Sequence, residues 1–253
     1  MTYTAKDYQH KGCRIQIISD EDPMHPRKEW DNLTTMACWH RRYHLGDIQP
    51  KESPREYLAS LAREVDDELE DIQERVDAIE NHYYPNEDHW CCVKARAYWV
   101  KRLEAALDRH YLIRTLYLYD HSGITISMGG FSCSWDSGPV GYIVMPLAKA
   151  EENWSVKGWD APVTYPDGSA KTLRERSLDL MRGEVETYDQ YLTGDVWGYV
   201  VTYLDDDGEE LGEDSCWGFY GQEYCQEEAE QAAECVVERW QRESQDINAM
   251  MHD

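Results

Sequence analysis

Basic residues are scarce in this chain. Only 25 Lys+Arg stand against 50 Asp+Glu in 253 residues, a formal net charge of −25. A surface that acidic does not bind nucleic-acid phosphates or anionic membranes through a general electrostatic footprint. Long apolar runs are missing too: none approaches the roughly 18 residues of a membrane span. The opening Met1-Thr2-Tyr3-Thr4-Ala5-Lys6-Asp7 has no secretion signal's apolar stretch, so a soluble, cytosolic globular protein is expected. No CxxC pair occurs among the 8 Cys, which argues against a disulfide framework or a cysteine zinc site and for small buried apolar residues. Phe is nearly absent, with 2, but 10 Trp and 18 Tyr replace it. They supply enough apolar mass for a core, which excludes intrinsic disorder.

The charge is regional. Residues 1–50 are neutral, 51–110 carry −6, 111–170 carry −3, and 171–253 carry −16. Two helices organise it. Leu58, Leu61, Val65, Leu69, Ile72, Val76 and Ile79 recur at steps of 3 and 4, which predicts one helix from Pro54 to Tyr84 with a single buried stripe. Ser53 is its expected N-cap, with proline in the first turn. Its other face carries Asp67, Glu70, Glu74 and Asp77. A second helix is expected over Glu223–Ser244, with Glu223, Glu227, Glu230, Glu234 and Glu238 in a stripe opposite Cys225, Ala229, Ala233 and Val236. From Asp205 to Glu238 there are 13 acids and no Lys or Arg. Like charges at i,i+4 cost a few tenths of a kcal/mol each, and no interleaved Lys relieves that cost here.

The remaining pattern alternates helices with hairpins. Cys13–Ser19 reads as the opening strand and Trp30–Tyr43 as a helix or turn docked on the core. Asp88–His110 reads as a third helix, Tyr111–Tyr119 and Ile124–Met128 as a hairpin, and Val140–Met145 as a strand. Thr172–Leu192 is a further helix that Gly194 should end. Val196–Leu204 and Asp214–Tyr220 form a last hairpin. The expectation is α+β: a mostly antiparallel central sheet of hairpins flanked by amphipathic helices, two of them strongly acidic. It would form a single domain over 1–253, with 53–110 a helical insertion or subdomain.

Several segments resemble a group of proteins common in bacteriophages and other mobile elements. They are Pro26-Arg27-Lys28-Glu29-Trp30-Asp31-Asn32-Leu33, Cys38-Trp39-His40-Arg41-Arg42-Tyr43, Tyr119-Asp120-His121-Ser122-Gly123-Ile124, Trp135-Asp136-Ser137-Gly138-Pro139-Val140-Gly141, Tyr188-Asp189-Gln190-Tyr191-Leu192-Thr193-Gly194 and Asp214-Ser215-Cys216-Trp217-Gly218-Phe219-Tyr220-Gly221. They span nearly the whole chain in order. The resemblance implies a mobile-element setting inside a microbial host, where small acidic proteins often block host defence. It assigns no reaction and no catalytic residue.

One functional expectation follows from the acidic stripes. Four carboxylates from Asp67 to Asp77 cover about 15 Å of helix at roughly 1.5 Å per residue, and one DNA strand offers a charge per about 3.4 Å. The chain would then be a DNA mimic: a non-enzymatic, cofactor-free inhibitor of a restriction or CRISPR-type defence protein with a basic groove. A solvated or salt-adapted surface is the competing reading. Lys (9) being scarcer than Arg (16) favours salt adaptation; the many Cys and Trp do not.

An alternative is a metal- or nucleotide-dependent enzyme with a polar site around Asp120, His121, Asp136, Ser137 and Asp189. Another is an acidic homodimer paired along the Leu58–Ile79 seam, whose repeat is near that of a coiled coil. His40 and His44 at i,i+4, with Cys38 and Asp47 nearby, could hold a metal but lack the HExxH glutamate. His89-Trp90-Cys91-Cys92 is a weaker candidate. Trp135-Asp136-Ser137-Gly138 lacks the nucleophile elbow of GxSxG and reads as a tight loop with Gly138 at positive φ. Asp205-Asp206-Asp207-Gly208-Glu209-Glu210 resembles part of a calcium loop but sits where a hairpin turn is expected.

Overall fold

The computed structural model describes residues 3–86, 88–133, 135–205 and 207–252, with side chains described as far as residue 240 and at 242. The architecture is α+β with antiparallel sheets, as the sequence predicts. The chain divides into two compact units: Met1–Trp30, His121–Ile126 and Glu186–Asp253 form one, Asp31–Asp120 and Ser127–Val185 the other.

The first unit is a four-stranded sheet with one long helix on it. Strands β1 (Thr4–His10), β2 (Cys13–Ser19), β9 (Val196–Leu204) and β10 (Glu210–Tyr220) lie in the order β1-β2-β9-β10. Helix α6 (Gln222–His252) packs Cys225, Ala229 and Ala233 against Cys13, Ile15 and Ile17 of β2 and Trp197, Tyr199 and Val201 of β9. The side-chain period of two explains the choice: alternate strand residues reach the helix, and its small residues let the backbone lie close to the sheet. Cys13–Ser19 is a strand as expected, but it is not the first, because β1 precedes it. The sequence hid β1, whose Thr-Ala-Lys-Asp-Tyr-Gln-His has only a weak apolar face.

The second unit places helices beside strands β3 (Thr35–Cys38), β4 (Tyr111–Asp120) and β6 (Ser137–Pro146), with β6 between the other two and antiparallel to both. The short β5 (Ile124–Ser127) lies on the boundary between the two residue sets. The predicted helix over Pro54–Tyr84 is two helices, α1 (Pro54–Arg63) and α2 (Glu68–Tyr83). A capping box starts α1: Ser53 Oγ accepts from the Glu56 N–H while the Glu56 carboxylate accepts from the Ser53 N–H. The break falls at Asp66-Asp67. The Asp66 carboxylate accepts the Glu68 N–H at 3.2 Å, because a short polar side chain competes with helix and favours a cap. Arg102 of α3 (Trp90–His110) anchors the same carboxylate at 2.9 Å.

The seam is filled within the chain. Tyr57, Ala59, Ala62, Leu69, Ile72 and Val76 bury against Trp99, Leu103, Ala106 and Leu107 of α3, with Leu58, Leu61 and Val65 partly buried. That packing uses the apolar stripe on which the homodimer alternative rested.

Residues Trp30–Tyr43 are not a helix; the described backbone there is loop around β3. Besides β1 and β3, three short elements were not anticipated: α4 (Leu147–Trp154), β7 (Pro162–Thr164) and β8 (Ala170–Thr172), the last two paired as a hairpin. Helix α5 (Leu173–Thr193) ends as predicted, with Gly194 at φ 74° and the Asp195 N–H reaching the Gln190 carbonyl at 2.8 Å.

Candidate interaction surface

On α2 the outward face is a carboxylate ridge. Asp67, Glu70, Glu74 and Asp77 are all exposed, and no cation pairs with them among the described residues. Asp67 stands just before the first turn, where negative charge favours the helix dipole. Asp77 takes one hydrogen bond, from the Gln73 amide at 2.8 Å. Because Leu69, Ile72 and Val76 turn the opposite side of the helix inward, the four acids cannot rotate away from solvent without exposing core.

The α6 stripe is different in kind. Glu223, Glu227 and Glu238 are exposed, but Glu230 and Glu234 reach back onto the edge strand. Glu230 accepts the Tyr8 hydroxyl at 2.9 Å and the Gln226 amide at 2.8 Å. These bonds hold its carboxyl below the usual range, while burial first, and then the Glu230 carboxylate, push the Tyr8 phenol well up. Glu234 pairs with Lys11. Two of the five acids therefore fasten α6 to β1 and its turn, so only three are left fully outward. The sequence could not separate these roles, since the partners lie 222 and 223 residues away.

The alternative polar set is split by the division of the chain: Asp120, Asp136 and Ser137 belong to the second unit, His121 and Asp189 to the first. Each has a local structural task. Asp120 pairs with Arg42, and its N–H bonds the Asp136 carbonyl at 2.8 Å. Ser137 opens β6 and donates to the Cys133 carbonyl. The His121 N–H closes its turn onto the Gly123 carbonyl at 3.0 Å, with Ser122 at φ 59°. Asp189 accepts the Ile126 N–H at 2.7 Å, and burial raises its carboxyl above the usual value. Gly138 does not take positive φ; it is a strand residue opposite Leu118.

The metal candidates fare similarly. His40 and His44 do not share a helix face, because no helix is there. His40 Nδ1 accepts the Tyr43 N–H at 3.1 Å, and His44 Nδ1 lies 2.8 Å from Gln49 Oε1. His89 caps α3, accepting the Cys91 N–H, and stacks on Tyr83 with centroids 3.9 Å apart. In the acidic turn Asp205 Oδ1 accepts from Asp207 and Glu209, the arrangement of a hairpin turn rather than a cation loop; Asp206 lies outside the described residues. No group of three or more His, Cys, Asp or Glu is placed to hold a metal among the described residues. Nor is any described helix long and apolar enough to cross a membrane.

Comparison of the chain with known protein families, curated proteins and solved structures finds no match.

Proposed function

We propose that this protein acts by binding, presenting the α2 ridge to the basic groove of a DNA-processing protein as a substitute for phosphates. The observation that carries this reading is the exposure of Asp67, Glu70, Glu74 and Asp77 together, uncompensated, on a helix whose other side is locked into a core. Uncompensated like charge on one helix is unfavourable for the helix itself, and a cationic partner removes that repulsion on binding. Glu223, Glu227 and Glu238 of α6 add outward charge, while Glu230 and Glu234 hold that helix in place. In the mobile-element setting suggested by the sequence segments, the partner is a restriction or CRISPR-type defence complex in a host cytoplasm.

The test is recovery of such a complex from host lysate at low and high salt. Binding through carboxylates falls steeply as salt screens them. The quadruple variant Asp67→Lys, Glu70→Lys, Glu74→Lys, Asp77→Lys should lose the complex while keeping a native circular dichroism spectrum, its stability lowered only by the about 0.3–1 kcal/mol that cations at the α2 N-terminus cost. Undiminished recovery by that folded variant overturns the proposal.

A further inference from the structure

One large apolar side chain stands almost wholly in water. Trp135, on the loop between β5 and β6, is 95% exposed. A single exposed hydrophobe is ordinary, but the segment that carries this one is not. Residues 121–135 hold no Asp, Glu, Lys or Arg, in a chain that is 30% charged. The other ring of the loop, Phe131, packs on Tyr119 with centroids 5.7 Å apart. Trp135 has no such contact among the described residues.

The second unit, which carries Trp135, also carries an unfilled apolar groove of ≈ 670 Å³ beside α2 and α3. Ile72, Val76 and Ile79 of α2 line it, with Trp90, Ala95 and Tyr98 of α3. Trp90 and Tyr98 remain 63% and 54% exposed, so the fold leaves both rings free to take a partner. The charges of the groove nearly cancel. Arg102 holds Glu68 at 3.0 Å and Asp66 at 2.9 Å, and Lys94 lies over the Trp90 ring, 5.0 Å from its centroid. Asp71 and Arg75 remain, one helical turn apart and opposite in sign. Nothing there selects an ion. A pocket of this size with aromatic walls suits an uncharged ring.

We propose that the groove receives Trp135 from a second copy of this chain. Two chains of net charge −25 repel each other, so they can meet only where the local charge is low. The uncharged segment 121–135 and the nearly neutral groove are two such places. Arg75, with neither a carboxylate nor a ring partner among the described residues, is the cation that an incoming indole face would take. A tryptophan buries roughly 150–250 Å², matched by a like area of groove. Even two reciprocal insertions therefore fall short of the about 1,200 Å² of a stable interface, and the association is weak and reversible. It is independent of the ridge: Asp67, Glu70, Glu74 and Asp77 do not line the groove.

Sedimentation equilibrium of the full chain, from micromolar to millimolar concentration, tests this. The mean mass should rise with concentration beyond that of one chain. Added salt should strengthen the association, because it screens the repulsion between two acidic chains; binding through the α2 ridge changes with salt in the opposite sense. Trp135→Ala and Tyr98→Ala, both at exposed positions, should keep the native circular dichroism spectrum. Each should weaken self-association about tenfold or more, the usual loss at a tryptophan or tyrosine that anchors an interface. A chain that stays monomeric to millimolar concentration in high salt overturns the proposal. So does self-association that either variant leaves unchanged, since it is then built on another surface.

Discussion

Trp217 lies on Gly198. The two residues pair across β9 and β10, and the indole Cε3 sits 2.2 Å from where a Cβ on Gly198 would stand. No side chain fits beneath that ring, although Trp217 is 47% exposed on its other side. Gly198→Ala must therefore push the indole off the strand. It should destabilise the fold by about 1–3 kcal/mol, the usual effect of overpacking, read as a lower denaturant midpoint. Adding Trp217→Ala makes room for the methyl group, so the double variant should be less unstable than the sum of the singles. Strict additivity would show that the two groups do not compete for space.

Asp66 and Asp189 should respond to pH in opposite senses. Arg102 lowers the Asp66 carboxyl from its ordinary 3.8, so its contribution is fully present above that value and disappears as pH falls through the lowered one. Asp66→Asn should then lower the melting temperature at pH 7, with the deficit closing in strong acid. Burial raises the Asp189 carboxyl, so its charged form carries a penalty that is absent below 3.8 and complete above the raised value. An amide oxygen can still accept the Ile126 N–H. Asp189→Asn should be at least as stable as wild type at pH 7, and the advantage should vanish below about pH 4. Parallel pH profiles for the two variants would refute both assignments.

Thiol chemistry should sort by depth. Cys13, Cys38, Cys92 and Cys225 are buried, and burial pushes the Cys225 thiol up to about 12. Cys216 and Cys235 are exposed. A thiol reagent on the native protein at pH 8 should modify Cys216 and Cys235 first and Cys225 only on unfolding, as mass spectrometry of timed samples can follow. Early modification of Cys225 would contradict the seating of α6 on its sheet.

The two acidic stripes should separate by stability. Glu74→Lys removes a like-charge neighbour of Glu70 one turn away, and should leave stability unchanged or raise it by a few tenths of a kcal/mol. Glu230→Ala leaves the half-buried Tyr8 hydroxyl without its acceptor and should cost about 1 kcal/mol. Chemical denaturation of the two single variants measures the contrast, and equal effects would argue against the Tyr8 contact.

The sequence determined the fold class, most strands and the presence of acidic ridges, because side-chain period and turn residues are local. Leu69, Ile72 and Val76 announce a helix wherever they fold, and Gly194 announces its neighbour's end. The Asp66-Asp67 break needed Arg102 to anchor it. Only the tertiary structure decided which carboxylates are free. Glu227 and Glu230 look alike in sequence, and a tyrosine brought across from the first strand makes one a surface charge and the other a fastening. Charge is written residue by residue, whereas compensation depends on what the fold brings within a few ångströms.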